Sequence, residues 1–172
     1  TLKKADFIAA EDTRVTVKLL NHFDIKKEML AYYEHNKNQK GNLILERIQN
    51  GESCALVSDA GMPAISDPGE DLVREARNLD IEIESVPGPC ALVTALAISG
   101  LPTGRFCFEG FLSMNKIGRR QHLTGLKSEK RTMIFYEAPH KLLNTLKDML
   151  EYFGDREIAL VKELTKIHEK VI

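Results

Sequence analysis

The sequence predicts an α/β protein of two domains: a parallel, doubly wound first domain over residues 1–87 and a mixed-sheet second domain over residues 88–172. Three observations carry this expectation. Short apolar runs alternate with helix-period segments through the first half, the pattern of strand–helix repeats and hence of a parallel sheet. Two loops rich in Pro and Gly, Val57 to Gly69 and Val86 to Ala91, each end an apolar run and lead into a helix start. After Gly88 the texture changes to a nearly all-apolar helix, which places the boundary near Pro87–Pro89. Loops of this kind lie at the carboxyl edge of an α/β sheet, where ligands bind. A ligand cleft between the domains is therefore expected. Gly61 and Gly69 admit positive φ and a close ligand approach, while Pro63, Pro68, Pro87 and Pro89 stiffen the path.

The elements follow in order. Phe7 to Ala10 reads as a short strand closing on the acidic pair Glu11-Asp12, and Asp12 or Thr13 caps a helix with Leu19, Leu20 and Phe23 on one face. Met29 to Tyr33 reads as a strand, followed by a polar loop holding His35, Asn36 and Asn38. A helix with Ile44, Leu45 and Ile48 inward stops at Asn50-Gly51. Cys54 to Ser58 is a continuous apolar strand, the kind buried on both faces of a parallel sheet. Asp67-Pro68-Gly69 opens a helix whose stripe is Leu72, Val73, Ala76 and Leu79, with Pro68 suited to its first turn. Ile81 to Val86 alternates apolar and acidic residues and reads as a less buried strand.

In the second half, the apolar helix from Ala91 to Ser99 ends at Gly100-Leu101-Pro102. Phe106 to Phe111 reads as a strand, the basic stretch after it as a helix, and Thr132 to Tyr136 as a second strand. An amphipathic helix carries Leu142, Leu143, Leu146, Met149, Leu150 and Phe153, and Ile158 to Val161 reads as a last strand. One helix alone separates the first two of these strands, which leaves a mixed sheet open.

Composition sets the class. A hydrophobic fraction of 43% with 28% charged residues is that of a soluble globular protein. No apolar run approaches the ~20 residues that span a bilayer, the stretch from Cys90 to Leu101 being broken by Thr94 and Ser99. No signal peptide is visible. Cys54, Cys90 and Cys107 lack metal-ligand spacing and sit in apolar settings, as reduced thiols of a cytoplasmic protein would. The ends read as cut: Thr1 opens on what resembles a helix tail, and Val171-Ile172 carries no terminator, so an internal fragment of a longer protein is expected. The net charge of −1 does not point to nucleic acid. Its distribution says more: Lys116, Arg119, Arg120, Lys127, Lys130 and Arg131 face Glu129 alone, with His122 in addition. That stretch is either a solvated helix face or a phosphate-contacting surface.

Seven motifs occur in order: Ala9-Ala10-Glu11-Asp12-Thr13-Arg14; the Ser58-to-Gly69 loop; Pro87-Gly88-Pro89-Cys90-Ala91; Gly100-Leu101-Pro102; Phe106-Cys107-Phe108-Glu109-Gly110-Phe111-Leu112; Phe135-Tyr136-Glu137-Ala138-Pro139-His140; and Lys162-Glu163-Leu164-Thr165-Lys166. The series resembles the ribosomal RNA small subunit methyltransferase I family, a branch of the tetrapyrrole methylase superfamily. The resemblance covers essentially the whole chain; family proteins are longer at both ends. It implies a tetrapyrrole-methylase-like fold with S-adenosyl-L-methionine bound between two domains. It also implies 2′-O-methylation of the ribose of a cytidine in the decoding region of 16S rRNA, within the 30S subunit, by a homodimer. Carried over by position, the first cofactor loop falls on Ala60, Gly61, Met62, Pro63, Ala64 and Ile65, and the second on Cys90 and Ala91. Superfamily members often have Asp or Thr where this chain has Met62, so the contacts implied there run through backbone amides and carbonyls. No Gly-x-Gly-x-x-Gly is present, in keeping with a cofactor held outside the usual dinucleotide scheme.

A methyl group on a sulfonium needs little covalent help, so the protein's work is to align the acceptor hydroxyl and take its proton. Asp12 and Glu11 qualify by position at a strand end. Asp12 qualifies equally as an N-cap and helix-dipole partner. Arg14 pairs with that acid or holds an RNA phosphate, and His35 is a further candidate base. Glu163 and Lys166 line a cleft or form an ordinary ion pair.

Three other readings compete. One is a methyltransferase of the same superfamily acting on a tetrapyrrole or another small molecule, and one is a non-catalytic RNA-binding module. A hydrolase using Ser58, Asp59 and His35 is the third, without a Gly-x-Ser-x-Gly elbow. Salt-sensitive binding to 30S particles without tetrapyrrole affinity separates the first from the leading reading. Affinity for S-adenosylmethionine separates the second.

Overall fold

In the computed structural model, which describes residues 1–172, β1 (Phe7–Ala10) lies between β2 (Glu28–Ala31) and β3 (Cys54–Val57) and pairs in parallel with both. The register sets Phe7 against Glu28 and Cys54, and Ala10 against Ala31 and Val57. β1 is fully buried because both of its faces are covered. Phe7 and Ala9 pack with Ile44 and Leu45 of α2 (Lys37–Gln49) and Leu72 and Ala76 of α3 (Gly69–Asn78). Ile8 and Ala10 join Leu20 of α1 (Thr13–His22) on the other face. Period-2 alternation thus feeds two cores, and the first unit, Thr1–Pro89, is doubly wound as expected.

The amino edge of this sheet is closed by polar contacts. Asp6 accepts from the Ser53 hydroxyl at 2.7 Å and from its amide at 2.8 Å. Arg47 reaches Glu28 at 2.8 Å and Glu52 at 2.5 Å, with its guanidinium 3.9 Å from the centroid of the Phe7 ring. The carboxyl edge carries the loops that follow β1, β2 and β3.

Several expectations for this unit change. Residues 81–86 form no strand: Ile81 packs on the core, but Ile83 and Val86 are exposed. Alternation reports one wetter face, not a hydrogen-bonded neighbour, and these residues join no ladder. On α1 the buried positions are Thr16 and Leu20, four apart, while Leu19 and Phe23 face solvent. Leu79 is likewise exposed, because α3 ends at Asn78.

The second unit, Cys90–Ile172, begins with α4 (Ala91–Ile98), buried at Leu92 and Leu96. β4 (Phe106–Phe111) and β5 (Thr132–Tyr136) pair in parallel, with α5 (Lys116–Gly125) between them in sequence. Their register slips between Phe108 and Gly110, where Gly110 at φ 61° admits a bulge. α6 (Leu142–Phe153) follows, buried at Thr145. β6 (Val161–Lys162) and β7 (Lys170–Val171) pair antiparallel. This unit therefore contains both parallel and antiparallel pairs, in separate sheets. The last strand is shorter and later than the Ile158–Val161 run suggested, because its pairing is set by Lys170 and Val171. On α6, Leu143 and Leu150 are exposed, so only part of the apolar stripe is covered. No helix is long and apolar enough to cross a membrane.

Candidate functional site

The parallel register brings Glu11 and Ser58, forty-seven residues apart in sequence, to the carboxyl ends of adjacent strands. The Ser58 hydroxyl donates to Glu11 Oε2 at 3.2 Å, and the Asp59 amide lies 3.5 Å from the same oxygen. Asp59 Oδ1 in turn accepts the Asp12 amide at 3.3 Å. Three carboxylates and one hydroxyl therefore meet beside the start of α1. The hydroxyl of Ser58 is engaged by Glu11, not by His35, which removes the arrangement a hydrolase would need.

Asp12 is the N-cap of α1, and its Oδ1 accepts the Arg14 amide at 2.8 Å. The Arg14 guanidinium closes on the same carboxylate, Nη2 to Oδ2 at 2.6 Å. These hydrogen bonds hold the Asp12 carboxyl down at about 2. At neutral pH such a group is a weak proton acceptor. Arg14 itself is 89% exposed and remains open to a further anion. Glu11 pairs with no cation.

The loop after β3 is built from unusual backbone. Gly61, Ala64 and Ser66 have φ of 81°, 66° and 54°. The two non-glycine residues there occupy a region that costs an L-residue roughly 1 kcal/mol, and such conformations cluster at ligand sites. Pro63, just before Ala64, fixes its own φ. The far end of the loop is tied down: Asp67 accepts the Gly69 amide at 2.8 Å, and the buried Tyr32 hydroxyl donates to the Pro68 carbonyl at 3.1 Å. Gly69 is packed so closely that a Cβ would stand 2.8 Å from Leu56 Cδ2. Ala60 and Gly61 are exposed, while Met62, Pro63 and Ala64 are half-buried. The result is a stiff strip of main chain beside three carboxylates, whose charge complements a cationic group.

His35 stands apart in its loop, exposed, with its ring 6.4 Å from that of Tyr33. In the second unit, Cys90 is the N-cap residue of α4, and its carbonyl accepts from the Thr94 hydroxyl at 2.8 Å. Ala91 is exposed. All three cysteines are free thiols. Burial pushes Cys54 up to about 11, and burial followed by Glu109 raises Cys107, so neither acts as a thiolate at neutral pH.

The basic stretch divides. Lys116, Arg120, Lys127 and Lys130 are exposed and make no ion pair. Arg131 is bound to Glu129 at 2.6 Å and Arg119 to Asp148 at 2.6 Å. Arg119 also donates to the buried Thr145 hydroxyl at 2.8 Å, and that hydroxyl donates to Glu137 at 2.5 Å. Arg119 is thus a tie between α5 and α6, a role that local charge does not reveal. Nor does the sequence foretell these contacts of Ser58, Asp59 and Thr145. Only the strand register, for Ser58, offers a signal that finds them.

The family profile described as Tetrapyrrole (Corrin/Porphyrin) Methylases matches residues 1–172. Proteins named ribosomal RNA small subunit methyltransferase I are close relatives. The one from Halalkalibacterium halodurans is 53% identical over 172 residues, covering 100% of this chain and 60% of its own length. The one from Pseudomonas aeruginosa is 48% identical over 171 residues, covering 99% and 61%. The one from Thermotoga maritima is 49% identical over 170 residues, covering 99% and 76%. This chain therefore spans about 60% of the length of the first two. Among solved structures, a cobalt precorrin-4 methyltransferase of cobalamin biosynthesis superposes with a TM-score of 0.64 at 19% identity, over 99% of this chain and 74% of that one. A uroporphyrin III C-methyl transferase from Thermus thermophilus gives 0.60 at 17%, over 99% and 76%. At such identities the two structures speak for the fold alone.

Proposed function

The chain belongs to the tetrapyrrole methylases and, within them, to the ribosomal RNA small subunit methyltransferase I family, and from that premise we propose that it serves S-adenosylmethionine-dependent 2′-O-methylation of a cytidine ribose in 16S rRNA. In its finer form the reading puts that cytidine in the decoding region of the 30S subunit and the protein in the cytoplasm as a homodimer. The observation that carries the reading is the stiff, left-handed strip at Gly61, Ala64 and Ser66 beside the Glu11–Ser58 pair.

S-adenosylmethionine, when bound, supplies an electrophilic methyl group on a sulfonium. The backbone of the loop from Ala60 to Ile65 would hold it, with Ala60, Gly61 and Ile65 its exposed positions. Glu11, oriented by Ser58 and free of any cation, takes the proton of the ribose hydroxyl. Asp12 holds Arg14 in place, and Arg14 holds a phosphate of the substrate strand. Lys116, Arg120, Lys127 and Lys130 supply further, sequence-independent phosphate contacts.

Calorimetry of the full-length protein with S-adenosylmethionine, followed by methyl transfer to 30S subunits, tests this. The expected result is cofactor binding and a methyl group on a cytidine ribose. Binding of 30S particles without cofactor affinity would make the protein an RNA-binding module. Cofactor binding with methylation of a tetrapyrrole and no 30S affinity would move it to the small-molecule branch.

A further inference from the structure

The carboxyl end of β4 leaves three apolar side chains in water within seven residues: Phe111 is 59% exposed, Met114 75% and Ile117 71%. They sit on a well-fixed frame. The Phe111 ring packs edge-on to Tyr136 with centroids 5.5 Å apart, and Tyr136 meets Phe108 at 4.9 Å. Met114 Sδ is 2.9 Å from Lys141 Nζ. Ser113 Oγ accepts the Asn115 amide at 3.1 Å, and Asn115 Oδ1 accepts the amides of Ile117 and Gly118 at 2.8 and 3.3 Å. An aromatic face braced this firmly loses little freedom when something stacks on it.

The charge around these residues has one sign. Lys116 and Arg120 lie one turn apart on α5, exposed and unpaired. The neighbouring carboxylates are turned to internal partners: Glu109 to His122 at 2.8 Å and Glu137 to Thr145 at 2.5 Å. A second copy whose two-fold axis passed through this patch would bring Lys116 and Arg120 against like charges. Polyanionic single strands instead combine both complements, phosphates for the cations and unpaired base faces for the aromatic ring. A base-paired helix hides those faces.

We propose that Phe111, flanked by Met114 and Ile117 and bordered by Lys116 and Arg120, is a stacking platform for an unpaired base of the RNA substrate. The proposal rests on the RNA reading of the site and adds that the strand recognised here is unpaired. The test measures binding of the full-length protein to a short unpaired oligoribonucleotide and to a hairpin duplex of equal charge, across a salt series. Phe111→Ala and Phe111→Leu should each weaken single-strand binding by roughly 5- to 100-fold, without changing the slope of log affinity against log salt. Phe111→Tyr should bind within about two-fold of the parent, because stacking survives. Lys116→Ala with Arg120→Ala should reduce the salt slope by roughly 1.4 for a single strand.

Unchanged single-strand affinity in Phe111→Ala overturns the stacking platform. If the Lys116/Arg120 variant still loses slope, the RNA reading stands and the platform alone falls. If the parent binds neither RNA, both readings fall together. A change of oligomeric state in Phe111→Leu, read by sedimentation, would reassign the patch to a contact between subunits and overturn the proposal.

Discussion

Arg14 grips Asp12 from both ends of the carboxylate: Nε donates to Oδ1 at 3.0 Å and Nη2 to Oδ2 at 2.6 Å, while the Arg14 amide also donates to Oδ1. The two residues are one position removed from adjacency, so the grip forms as α1 starts and does not wait for tertiary packing. It turns the acid into an anchor for an exposed cation, and in the proposed reading it leaves proton transfer to Glu11.

The Asp12 carboxyl is held at about 2, below its ordinary value of 3.8. A depressed carboxylate contributes stability that is present above the ordinary value and is lost as pH falls toward the folded one. The wild type should therefore lose thermal stability between about pH 4 and pH 2, and Asp12→Ala should lose less over that window. At pH 7 the loss of the cap should lower Tm by about 2–4 °C. Melts followed by circular dichroism across the pH range check both, and identical curves for the two proteins would remove Asp12 from any capping role.

Gly69 and Ala64 should respond differently, one in stability and the other in affinity. A Cβ at Gly69 meets Leu56 Cδ2 at 2.8 Å and Asp67 Oδ1 at 2.9 Å, so Gly69→Ala should destabilise by about 1–3 kcal/mol through overpacking. Ala64→Gly relieves a left-handed backbone but loosens the unfolded chain as well, for a net change within about 0.5 kcal/mol. Its effect should appear in a weaker affinity for S-adenosylmethionine, since the strip is then less pre-organised. Denaturant titration and calorimetry separate the two effects.

What the sequence reveals depends on how far a contact reaches along the chain. Phe106–Phe111 and Thr132–Tyr136 are bounded by turn residues and read as strands within those limits. The Asp12 cap is legible because its partner is two residues away. Ile81–Val86 carries a strand's alternation but no neighbour to pair with, and pairing is not a local property. Arg119 looks like any surface cation until α6 brings Asp148 and Thr145 to it from twenty-nine and twenty-six residues away. The Glu11–Ser58 contact becomes visible only when β1 and β3 are set side by side with Ala10 opposite Val57.

Arg119 therefore makes a prediction of its own. Its side chain is 18% exposed and ties α5 to α6. Arg119→Ala should lower stability by about 1–3 kcal/mol, part of it from leaving Asp148 and Thr145 without their donor. It should leave the salt slope of RNA binding in place. Lys127→Ala with Lys130→Ala should do the reverse, changing the slope by roughly 0.7–0.9 for each phosphate no longer neutralised and the stability hardly at all. Equal slopes in the parent and both variants would make this stretch an ordinary solvated face.

In the proposed reading Glu11 and Asp12 divide the chemistry, and substitutions at each should show it. Glu11 Oε2 accepts from Ser58 at 3.2 Å, and no cation competes for either of its oxygens. Glu11→Gln keeps the shape and removes the proton acceptor, so methyl transfer should slow by roughly 10²–10⁴-fold with cofactor affinity unchanged. Ser58→Ala should cost less, by allowing the carboxylate to turn, and Ser58→Thr should restore most of the rate. Asp12→Asn loses the charge that holds Arg14, so it should raise the KM for 30S subunits more than it lowers kcat. Single-turnover methyl transfer at saturating cofactor distinguishes these outcomes. If Glu11→Gln kept its rate while Asp12→Asn lost it with KM unchanged, the proton acceptor would be Asp12, and Arg14 would have to release it when the substrate binds.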